Sequence, residues 1–100
     1  MHLVSLPPLL TFAAKYPSAG QCVLAWCDEV KKAVWKNPVD IKNQYASVSI
    51  LKNRRVVFNL KGNDYRLIVA VAYNTGFVFV KFIGTHQQYD AIDANTVDSF

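Results

Sequence analysis

The sequence predicts an α+β fold: an N-terminal helical hairpin on one face of an antiparallel sheet of about four strands, closed by a short C-terminal helix. Three observations carry that expectation. Apolar residues recur at helical spacing through the first third of the chain, and from Val56 onward the pattern changes to apolar runs separated by turn residues. The third is size: 100 residues, 52% hydrophobic and 13% aromatic, suit one domain spanning 1–100 with its own core.

Each element follows from its residues. His2-Leu3-Val4-Ser5-Leu6 alternates weakly and is short, as an edge strand would, and Pro7-Pro8 stops it. Proline is harmless in a first helical turn, where the amides lack intrahelical partners. Leu9, Phe12, Ala13 and Tyr16 then share one helical face, and Pro17 ends that helix because the residue before proline is pushed out of the α region. Ser18 is the candidate N-cap of a second helix. Val23, Trp26, Cys27, Val30, Ala33 and Val34 form its apolar side, and Asn37-Pro38 closes it. Asp40 to Asn53 is mixed, with Ser47 to Ile50 either a short strand or an extended loop. Val56 to Leu60 reads as a strand, and Lys61-Gly62-Asn63-Asp64 as a turn. Tyr65 to Tyr73 is apolar apart from Arg66, so both its faces should be covered. After Asn74-Thr75-Gly76, Phe77 to Ile83 is its partner strand, and Thr85 to Tyr89 starts the last helix.

Charge is unevenly placed. Eleven basic residues face seven acids, for a net charge of +4, and nine of the eleven lie between Lys31 and Arg66. From Asp90 onward there are three acids and no base. A basic middle suits a phosphate-rich partner or an acidic protein, or simply a solvated surface, with Lys52, Arg54, Arg55 and Lys61 as candidate phosphate contacts. No apolar run approaches the ~20 residues of a membrane span, and Met1 to Ser5 lacks the pattern of a signal peptide, so a cytoplasmic, membrane-free protein is expected.

Cys22 and Cys27 lie on one expected helix with side chains roughly 140° apart, so they neither bridge nor share a metal readily; both read as core. His2 and His86 lack ligand spacing. There is no phosphate-cradling glycine loop, nucleophile elbow or paired-carboxylate motif. No metal or cofactor is expected.

What remains is a set of cations around the sheet. Arg66 interrupts one apolar strand and Lys81 its neighbour. A tight turn at Asn74-Thr75-Gly76 would pair residues at a constant index sum close to 150. Arg66 then lies opposite the Ile83-Gly84 end, and Lys61, Lys81, His86 and Tyr89 can converge there. Such a cluster is either a solvated strand rim with a helix cap or a site for RNA cleavage. In cleavage a 2′-hydroxyl attacks the adjacent phosphate, cations stabilise the phosphorane, and proton-transfer groups serve the attacking and leaving oxygens. Arginine matches two phosphate oxygens, histidine exchanges protons near neutrality, and tyrosine can donate a proton or stack on a base.

The run Gly62-Asn63-Asp64-Tyr65-Arg66-Leu67-Ile68, followed by Thr85-His86-Gln87-Gln88-Tyr89-Asp90, resembles the GNxYRLI and THxxYD motifs of HigB-type toxins. Lys15-Tyr16-Pro17 and Asn37-Pro38 extend the likeness over nearly the whole chain. The resemblance implies a RelE-like fold and a type II toxin. Such a toxin is a metal-independent mRNA interferase that cuts translated mRNA on the ribosome. It would be neutralised by a cognate helix-turn-helix antitoxin of HigA type, as a monomer alone or in a hetero-oligomer. Carried over, Arg66, His86 and Tyr89 match the family's motifs as catalytic residues. Lys81 stands where many relatives have arginine, a departure that keeps the charge and loses the fork. Two alternatives compete. One is a ParE-like toxin of the same fold inhibiting DNA gyrase, a branch that typically lacks the His and Tyr ending. The other is a non-catalytic RNA-binding module, although no arginine-rich recognition helix is evident.

Overall fold

In the computed structural model, which describes residues 1–62 and 64–100, the chain opens with β1 (His2–Val4). Ser5, at φ 71°, turns it sharply into α1 (Leu6–Lys15), whose first turn holds the two prolines. Tyr16 alone joins α1 to α2 (Pro17–Lys32): its N–H donates to the Phe12 carbonyl and its own carbonyl accepts from Ala19. Proline at the first position of α2 makes Tyr16, not Ser18, the N-cap residue. The Ser18 hydroxyl instead lies 2.6 Å from the Tyr65 hydroxyl, tying the helix to the sheet.

The expected end of the second helix at Asn37-Pro38 is also corrected. α2 stops at Lys32, and Ala33 is extended. The Met1 ammonium donates to the Val30 and Ala33 carbonyls, a positive group at the negative end of the helix dipole. The extended segment lets Trp35 bury its ring and donate its indole N–H to Gln44. Asn37-Pro38 opens α3 (Pro38–Gln44) rather than closing anything: the Asn37 side chain accepts from the Asp40 amide, and the Asp40 carboxylate accepts from the Lys36 amide.

After α3 come β2 (Ser49–Ile50), β3 (Arg55–Leu60), β4 (Tyr65–Ala72), β5 (Phe77–Thr85) and α4 (His86–Asp90). The expected turn residue Asn63 lies outside the described residues. The sheet has five strands in the order β1-β5-β4-β3-β2. It is mixed rather than wholly antiparallel, because β1 runs parallel to β5. The long return from β1 through the helices makes that parallel pairing possible.

Along the β4–β5 hairpin the index sum of 150 holds for Tyr65↔Thr85 to Ile68↔Phe82, then slips by one from Val69↔Val80 to Ala72↔Phe77. Lys81 is the extra residue of this β-bulge. Its carbonyl accepts from the Ser99 amide, so the C-terminal segment is pinned at the bulge.

Alternation along β4 divides two cores. Leu67, Val69 and Val71 pack with Trp26, Phe58 and Leu9 beneath the helices. Ile68 packs with Val57 and Phe82 on the opposite face, which Ile92, Ala94 and Val97 of the C-terminal segment cover. That covering explains why β4 is apolar on both sides. No helix of the described residues is long and apolar enough to cross a membrane.

Candidate active site

Among the described residues Arg66 is the one buried charged side chain, 9% exposed. It pairs across the ladder with Asn59 on one side and Gly84 on the other, as the index sum anticipated. It therefore shares the face of Ile68 and Phe82, opposite the helices. Its Nη1 lies 3.3 Å from the Tyr65 carbonyl, and its guanidinium carbon stands 5.6 Å from the centre of the Tyr89 ring. An aromatic face at that distance attracts the cation.

Tyr89 is delivered by α4, which begins where β5 ends. The Thr85 hydroxyl accepts from the Gln88 amide at 3.2 Å and the Gln88 side chain accepts from the Thr85 amide at 2.9 Å, a reciprocal capping box. His86, the first residue of α4, donates its backbone N–H to the Asp64 carbonyl, which holds the helix against the β3–β4 turn. Its imidazole is half-exposed, with Nδ1 3.1 Å from an Asp90 carboxylate oxygen one turn on. Arg66, Tyr89 and His86 are thus gathered at one end of the sheet by the β4–β5 ladder and a single helical turn.

The other expected residues are placed differently. Lys81 sits at the bulge with its Nζ 3.5 Å from Asp98, and the Ile68–Phe82 pair separates it from Arg66 along the ladder. Gly84 lies three residues further on, roughly 10 Å along the strand. Lys61 lines a cleft of about 190 Å³ on the helix side with Cys22, Trp26, Glu29 and Tyr45. Lys52 and Arg54 are exposed in the β2–β3 loop, where Asn53 and Arg54 take left-handed backbone angles. Arg55 turns inward: its Nη1 donates to the carbonyls of Val97 (2.6 Å) and Ala94 (3.2 Å). The capping box was readable as Thr-x-x-Gln ahead of Tyr89, whereas no local signal marked Arg55 as the anchor of the C-terminal segment.

Cys22 and Cys27 are free thiols, Cys22 partly buried and Cys27 buried. Burial pushes the Cys27 thiol up, so it stays protonated and unreactive. Among the described residues no three His, Cys, Asp or Glu side chains are grouped to hold a metal ion.

The buried arginine thus lies under the Tyr89 ring, and His86 heads the short helix that carries that ring. The family model of the HigB toxin, the RelE-like toxic component of a toxin–antitoxin system, matches residues 19–92. The chain belongs to this toxin family. It is 28% identical over 96 residues to the mRNA interferase toxin HigB of Escherichia coli (strain K12), a match that covers 94% of this chain and 92% of that protein. The mRNA interferase HigB of Shigella flexneri is similar to the same extent. That of Escherichia coli O6:H1 is 26% identical over 94 residues, covering 92% of this chain and 91% of its own. Membership of the HigB family implies an antitoxin partner and does not favour the gyrase-directed alternative.

Proposed function

We propose that this HigB-family toxin is a metal-independent endoribonuclease that cuts translated mRNA on the ribosome in the cytoplasm, held inactive by a HigA-type antitoxin. The observation that carries the reading is Arg66, a nearly buried cation under the Tyr89 ring with His86 at the head of the same helix. In the reaction a ribose 2′-oxygen attacks the adjacent phosphorus and the bond to the 5′-oxygen breaks, leaving a 2′,3′-cyclic phosphate and a 5′-hydroxyl. One proton leaves the 2′-hydroxyl and one reaches the departing oxygen. Arg66 stabilises the charge that builds on the phosphorane. His86 and Tyr89 are the groups that exchange the protons; with Nδ1 held by Asp90, the other imidazole nitrogen is free to do so.

Lys81 joins the catalytic group in this reading once an incoming phosphate displaces Asp98 from its ammonium. The exposed cations Lys52, Arg54 and Lys61, with whichever Arg55 donors the C-terminal segment leaves free, track phosphates of the message or of ribosomal RNA. A brief pulse of expression in a bacterial host, followed by primer-extension mapping, tests the proposal. Translation should stop before replication, with new 5′ ends inside reading frames. Continued protein synthesis alongside early DNA breaks would overturn it in favour of gyrase.

A further inference from the structure

The position of α4 depends on Gly84 and Gln88. Gly84 lies directly across the ladder from Arg66, and its backbone is not in the left-handed region, so conformation does not require glycine there. Space does. A Cβ at Gly84 would come within 2.7 Å of Gln88 Oε1 and 2.7 Å of the Phe82 ring. The Gln88 side chain can reach back to the Thr85 amide because the strand carries no side chain at that point. The capping box it closes begins α4 with no intervening loop, so one short turn, headed by His86, carries Tyr89 back over Arg66. α4 has five residues, none of them fully buried, so beyond the cap it is held by the His86–Asp64 hydrogen bond and the partly buried Tyr89 ring.

We propose that Gly84 and Gln88 are a positioning pair: the missing Cβ and the returning carboxamide together fix α4 so that Tyr89 and His86 meet the scissile phosphate at Arg66. The inference rests on the endoribonuclease reading above. The capping box is defined by an acceptor at the side-chain end, so glutamate can replace glutamine and alanine cannot. Loss of the cap lets α4 fray and moves the proton-transfer groups. A displacement of about 1 Å in such groups can lower turnover on the order of 10²-fold. Because no buried residue is lost, the core should melt as before.

The test is mRNA cleavage by the full-length wild type, Gln88→Ala, Gln88→Glu and Gly84→Ala on translating ribosomes, with thermal melting alongside. Gln88→Ala should lose at least 10-fold in kcat, with little change in KM or melting temperature. Gln88→Glu should restore most of that loss. Gly84→Ala should fall at least as far as Gln88→Ala, since its Cβ meets the Phe82 ring as well as Gln88 Oε1, and the shared Gln88 part should not add when the two are combined. A wild type that cleaves while Gln88→Ala cleaves equally well would overturn the positioning role alone. So would failure of Gln88→Glu to rescue. A wild type that does not cleave would remove the endoribonuclease reading, and the pair's role with it.

Discussion

The two faces of the sheet are built from alternate residues of the same strands and are closed by different means. The helix-facing side buries Trp26, Phe58, Leu67, Val69 and Val71 under two long helices and holds no buried charged side chain among the described residues. The opposite side buries the apolar residues Val57, Ile68 and Phe82 under a C-terminal segment without regular structure. It also holds Arg66. A thick apolar core on one face supplies enough stability for the other face to keep a buried guanidinium, which a single thin layer would not tolerate easily. The proposed chemistry sits where the packing is thinner, and the β4–β5 ladder places Arg66 there.

That contrast can be broken by substitution, and the largest effects should fall on the helix side. Phe58→Ala removes a ring packed against Trp26, Trp35 and Tyr45, and should cost about 3–5 kcal/mol in denaturant unfolding. Ile68→Ala, on the opposite face, should cost nearer ~2 kcal/mol, because the C-terminal segment can settle into the space. Equal costs would mean that the second face is as rigid as the first.

Arg55→Ala tests the attachment of that covering segment. Two hydrogen bonds from a charged group should contribute about 1.5–3 kcal/mol, and their loss should appear as faster amide exchange across residues 92–99. If exchange there is unchanged while the salt dependence of RNA binding flattens, Arg55 is a phosphate contact instead.

The smallest effect concerns the rim of the helix side. Burial, reinforced by the hydrogen bond to the Glu29 carboxylate, raises the Tyr45 hydroxyl above its ordinary value. A raised folded pKa means that the contribution is whole below the unfolded value near ~10 and is lost as pH climbs through the folded one. Tyr45→Phe should therefore cost ~1 kcal/mol at neutral pH, and the gap to wild type should close only in strongly alkaline solution.

Legibility in the sequence followed how local the deciding interactions are. The β4–β5 hairpin announces itself by an apolar run, a turn and a second run, and simple index arithmetic placed Arg66 opposite Gly84. The bulge at Lys81 escaped because it is bound up with a contact from Ser99, eighteen residues away. Lys81 was accordingly expected beside Arg66 and is found beside Asp98. Asn37-Pro38 suits a helix stop and a helix start equally well. The choice was made by Met1 at the end of α2 and by the burial of Trp35, neither visible in the local pattern. His86 and Tyr89 were legible together because both lie on the single turn that the Thr85–Gln88 capping box starts.

The central claim is that the second face carries the chemistry while the first carries the stability. Its most direct test is Arg66→Ala, with mRNA cleavage and thermal melting measured on the same preparation and His86→Gln run beside it. Loss of a preorganised charge-stabilising group should lower cleavage by ~10²–10³-fold. Removal of a true proton-transfer group should lower it by ~10²-fold or more. His86→Gln, at an exposed side chain, should melt as the wild type does, and Arg66→Ala should lose far more cleavage than its loss of stability accounts for. Two proteins that melt early and lose activity only in proportion would contradict the claim and make both residues structural.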